Sequence, residues 1–158
     1  MRLLKGNLST AIACLAIGAI FSTAALAAGP LTAAQAIAAR QAGLKQVGGA
    51  FKTINDQLKS DTTDIESIRA AARVISANAT AMPGWFPAGS GAEAGIPTKA
   101  KPEIWSDSPG FAAAAAGFRT QAAAMQAAAQ SGDKVRIAAQ VGPLFGACRT
   151  CHTTYRAQ

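Results

Sequence analysis

The sequence predicts an all-α protein, an antiparallel four-helix bundle with a long proline-rich crossover between the second and third helices. Three observations carry that prediction. Larger apolar residues recur every three or four positions along extended stretches, the period of a helix with one face in a core. No stretch alternates apolar and polar residues with period two for long enough to build a sheet. Turn-forming residues interrupt the helical pattern at two short junctions and one long one.

The N-terminal 27 residues stand apart from this pattern. Arg2 and Lys5 precede an apolar run from Leu8 to Leu26, and the run closes on Ala25-Leu26-Ala27, the small-x-small pattern at which a secretory signal peptide is cleaved. A transmembrane anchor is the competing reading, because the run approaches the roughly 20 residues that span a bilayer. No basic stop signal follows it, only Ala28, Gly29 and Pro30. The expectation is a cleaved leader over residues 1–27, which removes Cys14, and a single domain over residues 28–158 with no membrane attachment after processing. A periplasmic location follows from the leader.

The first helix is expected to start at Thr32, which with Gln35 forms a capping box. Its stripe runs through Ile37, Leu44, Val47, Phe51, Ile54 and Leu58. Gly48 and Gly49 weaken its middle, by about 1 kcal/mol each relative to alanine. The second stripe, Ile65, Ile68, Ala72, Ile75, Ala79 and Met82, follows a second expected capping box, Thr63 with Glu66. Pro83 ends that helix.

From Pro83 to Pro109 the chain holds five prolines and a Gly/Ser/Ala stretch, so neither a long helix nor a central strand persists there. A short helical turn is expected around Glu103 to Trp105. Ser108 as N-cap with Pro109 at the first helical position starts the third long helix, and Phe111, Phe118 and Met125 repeat along it every seven residues. Ser131-Gly132 ends it and Asp133 caps the fourth. The apolar residues of that last helix are Val135, Ile137, Val141, Leu144 and Phe145, with Pro143 expected to kink it.

Composition narrows the function. The chain has 158 residues, 50% hydrophobic and only 15% charged, which argues against disorder. Loss of the leader removes two cations and no acid, so the excess charge falls from +7 to +5. The remaining basic residues are scattered rather than gathered in a stripe with aromatics, so no nucleic-acid partner is expected. A single histidine excludes a Cys2His2 finger and bis-histidine haem ligation within one chain.

Both remaining cysteines and that histidine fall in Cys148-Arg149-Thr150-Cys151-His152. C-x-x-C-H is the attachment signal of c-type haem. On a helix, positions i, i+3 and i+4 share a face, so Cys148 and Cys151 can both form thioethers to one macrocycle while His152 supplies the axial nitrogen. One covalent haem c per chain is expected. A thioredoxin-like dithiol would place C-x-x-C at the start of a helix after a strand, and a zinc site would lack an obvious fourth ligand, Asp133 aside.

The second axial position bears on function. Small soluble electron carriers have their motif near the N-terminus and a methionine downstream, whereas only six residues follow His152 and none is methionine. Met82 and Met125 are both upstream and fit the core or the haem edge.

The chain resembles the cytochrome c′ family, the class II c-type cytochromes. The resemblance rests on Arg40-Gln41-Ala42-Gly43-Leu44, Met82-Pro83-Gly84-Trp85-Phe86-Pro87, Lys101-Pro102-Glu103-Ile104-Trp105 and the ending from Cys148 to Arg156. It implies a homodimeric four-helix bundle holding a five-coordinate, high-spin haem with an apolar distal side. It places the distal residue at Leu44, where low-spin relatives carry methionine. It also makes Trp85 and Phe86 walls of the haem pocket, Arg40 a neighbour of a haem propionate and Arg156 a residue of the proximal side. Lys45, the next residue along, is expected to point about 100° away from Leu44 around the helix.

The resulting expectation is a protein that binds small neutral gases, nitric oxide and carbon monoxide, and can pass electrons to a periplasmic redox partner. Leucine and aromatic side chains offer no hydrogen bond to stabilise dioxygen. A low-spin electron carrier and a C-x-x-C thiol oxidoreductase are the alternatives. No acid-base pair or nucleophile stands beside the motif, so catalysis is not expected.

Overall fold

The computed structural model describes residues 30–158; the expected leader over residues 1–27, with Cys14, lies outside the described residues. Its long helices are α1 (Ala33–Lys59), α2 (Ile65–Ala81), α4 (Ser108–Ser131) and α5 (Lys134–Tyr155), with a single turn, α3 (Glu103–Ser106), just before α4. Among the described residues there is no strand, only an isolated bridge between Ala100 and Arg156. The architecture is the expected four-helix bundle.

Local chemistry sets the helix limits. Thr32 and Gln35 form the reciprocal capping box at the start of α1. Gly132, at φ 73°, takes the left-handed conformation that ends α4, and Asp133 accepts from the amides of Val135 and Arg136 to start α5. Two caps lie one residue from their expected places. Asp64, not Thr63, caps α2 by accepting from Glu66 and Ser67; the Thr63 hydroxyl instead donates to the Gln57 carbonyl at 3.0 Å, closing the preceding turn. Asp107, not Ser108, caps α4 by accepting from the Gly110 amide. In both cases a carboxylate with two acceptor oxygens takes the capping role ahead of a neighbouring hydroxyl.

α1 continues through Gly48 and Gly49 without a break, because packing of its apolar face outweighs their weak propensity. α5 likewise continues through Pro143, which lies on its exposed side. The missing N–H leaves the exposed Ala139 region without one ladder bond, so the proline perturbs the solvent side of an unbroken helix.

The core is built from Ile54, Ile68, Ile75, Met125, Ile137 and Leu144, all fully buried, each such side chain contributing about 1.5–3 kcal/mol by leaving water. Val135 and Phe145, expected on the apolar face of the last helix, are 77% and 54% exposed. For Phe145 the reason lies in how the helices neighbour one another. α1 packs on α2, α2 on α4 and α4 on α5, whereas α1 and α5 scarcely meet. The bundle is therefore open along the α1–α5 side, and Phe145 reaches into that opening, with its ring centroid 6.1 Å from that of Phe51.

Candidate cofactor site

The opening between α1 and α5 holds two cavities that meet around shared side chains. One has a volume of about 460 Å3 and reaches toward Arg40, Phe86, Phe111 and Tyr155. The other, about 430 Å3, reaches toward Val47, Phe51, Phe118, Phe145 and Cys148. Leu44, Met82, Cys151, His152 and Arg156 line both. The apolar stripe of α1 thus ends, at this side, on a cleft rather than on another helix.

Asp133 starts α5 and the helix runs unbroken to Tyr155, which places Cys151 and His152 one turn beyond Cys148 on a common face. Both cysteines are free and half-buried. Burial pushes both thiols above their ordinary value, with the Cys148 charge adding to the effect at Cys151. The His152 imidazole is held below its ordinary value, first by partial burial and then by the charge of Arg156. Both shifts favour the uncharged form, the thiol at sulfur and the neutral imidazole at nitrogen.

Arg40 carries the most unusual electrostatics. Its side chain is 3% exposed. Nη1 donates to Ser90 Oγ at 3.3 Å, and Nη2 donates to the Ser90 carbonyl at 2.6 Å and to Thr98 Oγ1 at 2.7 Å. The guanidinium carbon lies 5.2 Å from the centroid of the Phe86 ring, within cation–π range. Among the described residues no carboxylate lies within ion-pair distance of it. Burial lowers its pKa and the more distant Glu93 charge partly opposes that.

The residues fit the group that C-x-x-C-H implies. Most of the cleft's surface is apolar, as a porphyrin requires, with Arg40, Lys45 and Arg156 among its charged members. One wall presents two thiols and an imidazole together. Among the described residues the nearly buried Arg40 cation has no ion-pair partner, a feature that an anionic substituent of a bound macrocycle would compensate.

Of the residues expected at the site, Leu44, Phe86, Arg40, Arg156, Cys148, Cys151 and His152 all line this cleft. Trp85 does not. It lines neither cavity and is buried where α1 and α2 pack, so close to Gly43 that a Cβ there would overlap its six-membered ring. Its indole fills the space left by a glycine, so the expected pocket wall is a core residue. Phe86, one position on, turns toward the cleft and meets Phe111 edge-on at 4.8 Å. Lys45, expected to point away, also reaches the first cavity, since its long stem can bend back along the helix surface.

The sequence pattern assigns no role at the site to Thr98, Ile104 and Tyr155, which line the first cavity, or to Ser90, which holds Arg40. Ser90 and Thr98 lie on the crossover, which carries no periodicity from which a buried polar contact could be read. Tyr155, by contrast, had a signal: it lies three positions after His152 on the same helix.

A family model described as Cytochrome C' matches residues 35–156. The chain is similar to cytochrome c-556 of Agrobacterium fabrum, with 36% identity over 132 residues, covering 83% of this chain and 87% of that protein. Its fold is similar to the crystal structure of cytochrome c′ from Thermochromatium tepidum, with a TM-score of 0.77, 28% identity, and coverage of 82% of this chain and all of that one. A second solved structure is of a cytochrome c′ with an unusual ligand-controlled dimer dissociation; it has a TM-score of 0.75 and 28% identity, covering 83% of this chain and 100% of the other.

Proposed function

The chain belongs to the cytochrome c′ family, and on that premise we propose that it is a periplasmic haem protein that binds small neutral gases and can also pass single electrons. Cys148 and Cys151 would hold one haem c through thioether bonds, and His152 would supply its nitrogen ligand. Leu44 would face the group from the α1 side of the cleft. When bound, the haem supplies an iron that takes a diatomic ligand and changes between ferric and ferrous states.

The observation that carries this reading is the shared placement of Leu44 and His152 on both cavities. A leucine has no lone pair, so it excludes water and occludes the site without filling a coordination position. Phe86 and Phe111 extend the apolar wall. Nitric oxide and carbon monoxide bind ferrous iron without a hydrogen-bond donor, whereas dioxygen gains from one. Arg40, already fixed by Ser90 and Thr98, would balance the charge of a propionate. In this reading the protein binds and carries rather than turning over a substrate.

A homodimer belongs to the same proposal, supported by the similarity to a cytochrome c′ whose dimer dissociation is ligand-controlled. So does removal of residues 1–27 on export, which rests on the sequence pattern alone.

A second reading has a specific observation behind it. Met82 is 4% exposed and lines both cavities, so its thioether borders the cleft and is a candidate second ligand for a six-coordinate, low-spin electron carrier.

Two measurements test these readings. Haem should remain with the denatured polypeptide through acid-acetone extraction; haem that extracts freely overturns covalent attachment. The ferrous optical spectrum should be high-spin and five-coordinate in wild type and in Met82→Leu alike. A low-spin wild type that becomes high-spin in Met82→Leu selects the second reading.

A further inference from the structure

The C-terminal turn of α5 is tied down more firmly than a helix end usually is. The last four carbonyls of a helix lack intrahelical partners, and such turns commonly fray. Here Lys101 Nζ donates to the Thr154 carbonyl at 2.8 Å, and the Lys101 amide donates to the Tyr155 carbonyl at 3.1 Å. The Ala157 amide continues the pairing to the Lys99 carbonyl at 2.9 Å.

The side chain of Tyr155 adds a tie to a different element. Its hydroxyl donates to Asp107 Oδ2 at 2.8 Å, while the other oxygen of that carboxylate accepts from the Gly110 amide at 3.1 Å as the cap of α4. One carboxylate thus joins the start of α4 to the end of α5. The Tyr155 ring is buried and packs edge-on against Phe111, with centroids 5.3 Å apart.

Gly110 shows that space is reserved for this joint. A Cβ at that position would overlap both the Asp107 carboxylate and the Tyr155 hydroxyl. Glycine inside a helix otherwise costs about 1 kcal/mol relative to alanine, and here it leaves room for the hydrogen bond.

Tyr155 follows His152 by three residues, so the two side chains are neighbours on one helical face, and both line the first cavity. From this we infer that Tyr155 and Asp107 are positioning residues for His152: their hydrogen bond holds the last turn of α5 in register against α4 and so fixes the tilt and reach of the imidazole toward the iron. The inference rests on the haem reading above. Asp107 sets the α4 end of the joint, Tyr155 transmits it, and Gly110 makes the close approach sterically allowed.

The test uses the haem-loaded full protein and three variants: Tyr155→Phe, which keeps the ring and removes only the donor; Asp107→Asn, which has one acceptor oxygen where the joint needs two; and the double variant. Resonance Raman of the ferrous protein reads the iron–histidine stretch, and redox titration reads the midpoint potential. Tyr155→Phe is expected to broaden that band and move it to lower frequency, with a shifted potential and melting only slightly earlier. The double variant should show no further spectral change beyond the larger single effect, because both residues act through one bond. A lowered melting temperature with band and potential unchanged overturns the positioning role and leaves a purely structural tie. Were the wild-type iron six-coordinate, the gas-binding reading would fall. The potential would still report the joint: a shift in Tyr155→Phe supports it and an unchanged value overturns it.

Discussion

Leu44 of α1 and His152 of α5 line the same two cavities in a bundle whose α1 and α5 scarcely touch. The helices most remote in sequence thus border one cleft, and the chemistry of its two walls is unequal. α5 offers sulfur and nitrogen, whereas α1 offers a methyl-bearing side chain that is 37% exposed.

That inequality makes Leu44 the residue to change first. Leu44→Ala is expected to raise carbon monoxide affinity on the order of tenfold, equivalent to about 1.4 kcal/mol, by removing a steric barrier beside the iron. Leu44→Met is expected to give a six-coordinate, low-spin ferrous spectrum. Carbon monoxide titration and the optical spectrum read the two outcomes, and an affinity indifferent to Leu44→Ala removes leucine from the distal role.

Arg40 holds the crossover onto α1 through Ser90 and Thr98. Arg40→Met keeps much of the apolar stem and deletes the donors, leaving the Ser90 carbonyl unpaired. The expected loss is about 2–3 kcal/mol. Hydrogen exchange should speed up around Ser90 and Thr98 while the middle of α4 stays protected; uniform acceleration across the chain would mean that Arg40 supports the whole bundle instead.

Tyr155 is the only tyrosine in the chain, so phenolate absorbance of the haem-free protein reports on it alone. Burial, followed by the hydrogen bond and charge of Asp107 and the charge of Cys151, raises its pKa. A raised folded-state value means that the folded chain keeps the proton after the unfolded chain has released it. The stabilisation is therefore complete below the ordinary tyrosine value of about 10 and is lost as pH climbs through the folded value. Titration should be displaced upward in wild type and move back toward the ordinary value in Asp107→Asn. Tyr155→Phe should lose that part of the alkaline slope of stability.

Two glycines of α1 should respond oppositely to alanine. At Gly43 a Cβ would collide with the Trp85 ring and come within 2.8 Å of Asn78 Oδ1, so Gly43→Ala should cost about 1–3 kcal/mol, the usual range for overpacking. At Gly48 nothing lies within 4 Å, so Gly48→Ala should gain about 0.4–1 kcal/mol by restricting the unfolded chain. Thermal melts of the haem-free variants distinguish the two, and equal shifts would refute the proposed difference in packing.

Much of this was legible in the sequence. The Thr32 capping box, the Gly132 stop, the Asp133 cap and the stripes of α1 and α2 all arise from interactions within a few residues, and the structure has them where the pattern places them. The displaced caps at Asp64 and Asp107 show how far that local reading extends. Each site had two adjacent polar side chains able to cap, and the neighbouring turn decided between them. Thr63 was drawn to the Gln57 carbonyl, and Asp107 was held between Gly110 and Tyr155.

By itself the sequence determined the helical class, the number and approximate limits of the long helices, and the alignment of Cys148, Cys151 and His152 on one face, because helical period and side-chain spacing are properties of a single segment. Tertiary structure alone decided that Trp85 fills the gap at Gly43 while Phe86 faces the cleft, that Arg40 is buried against the crossover, and that Phe145 borders an opening instead of a core. Periodicity reports that a face is apolar. Which helix, cavity or prosthetic group covers that face depends on how segments far apart in sequence come together, and that is settled only when the whole chain packs.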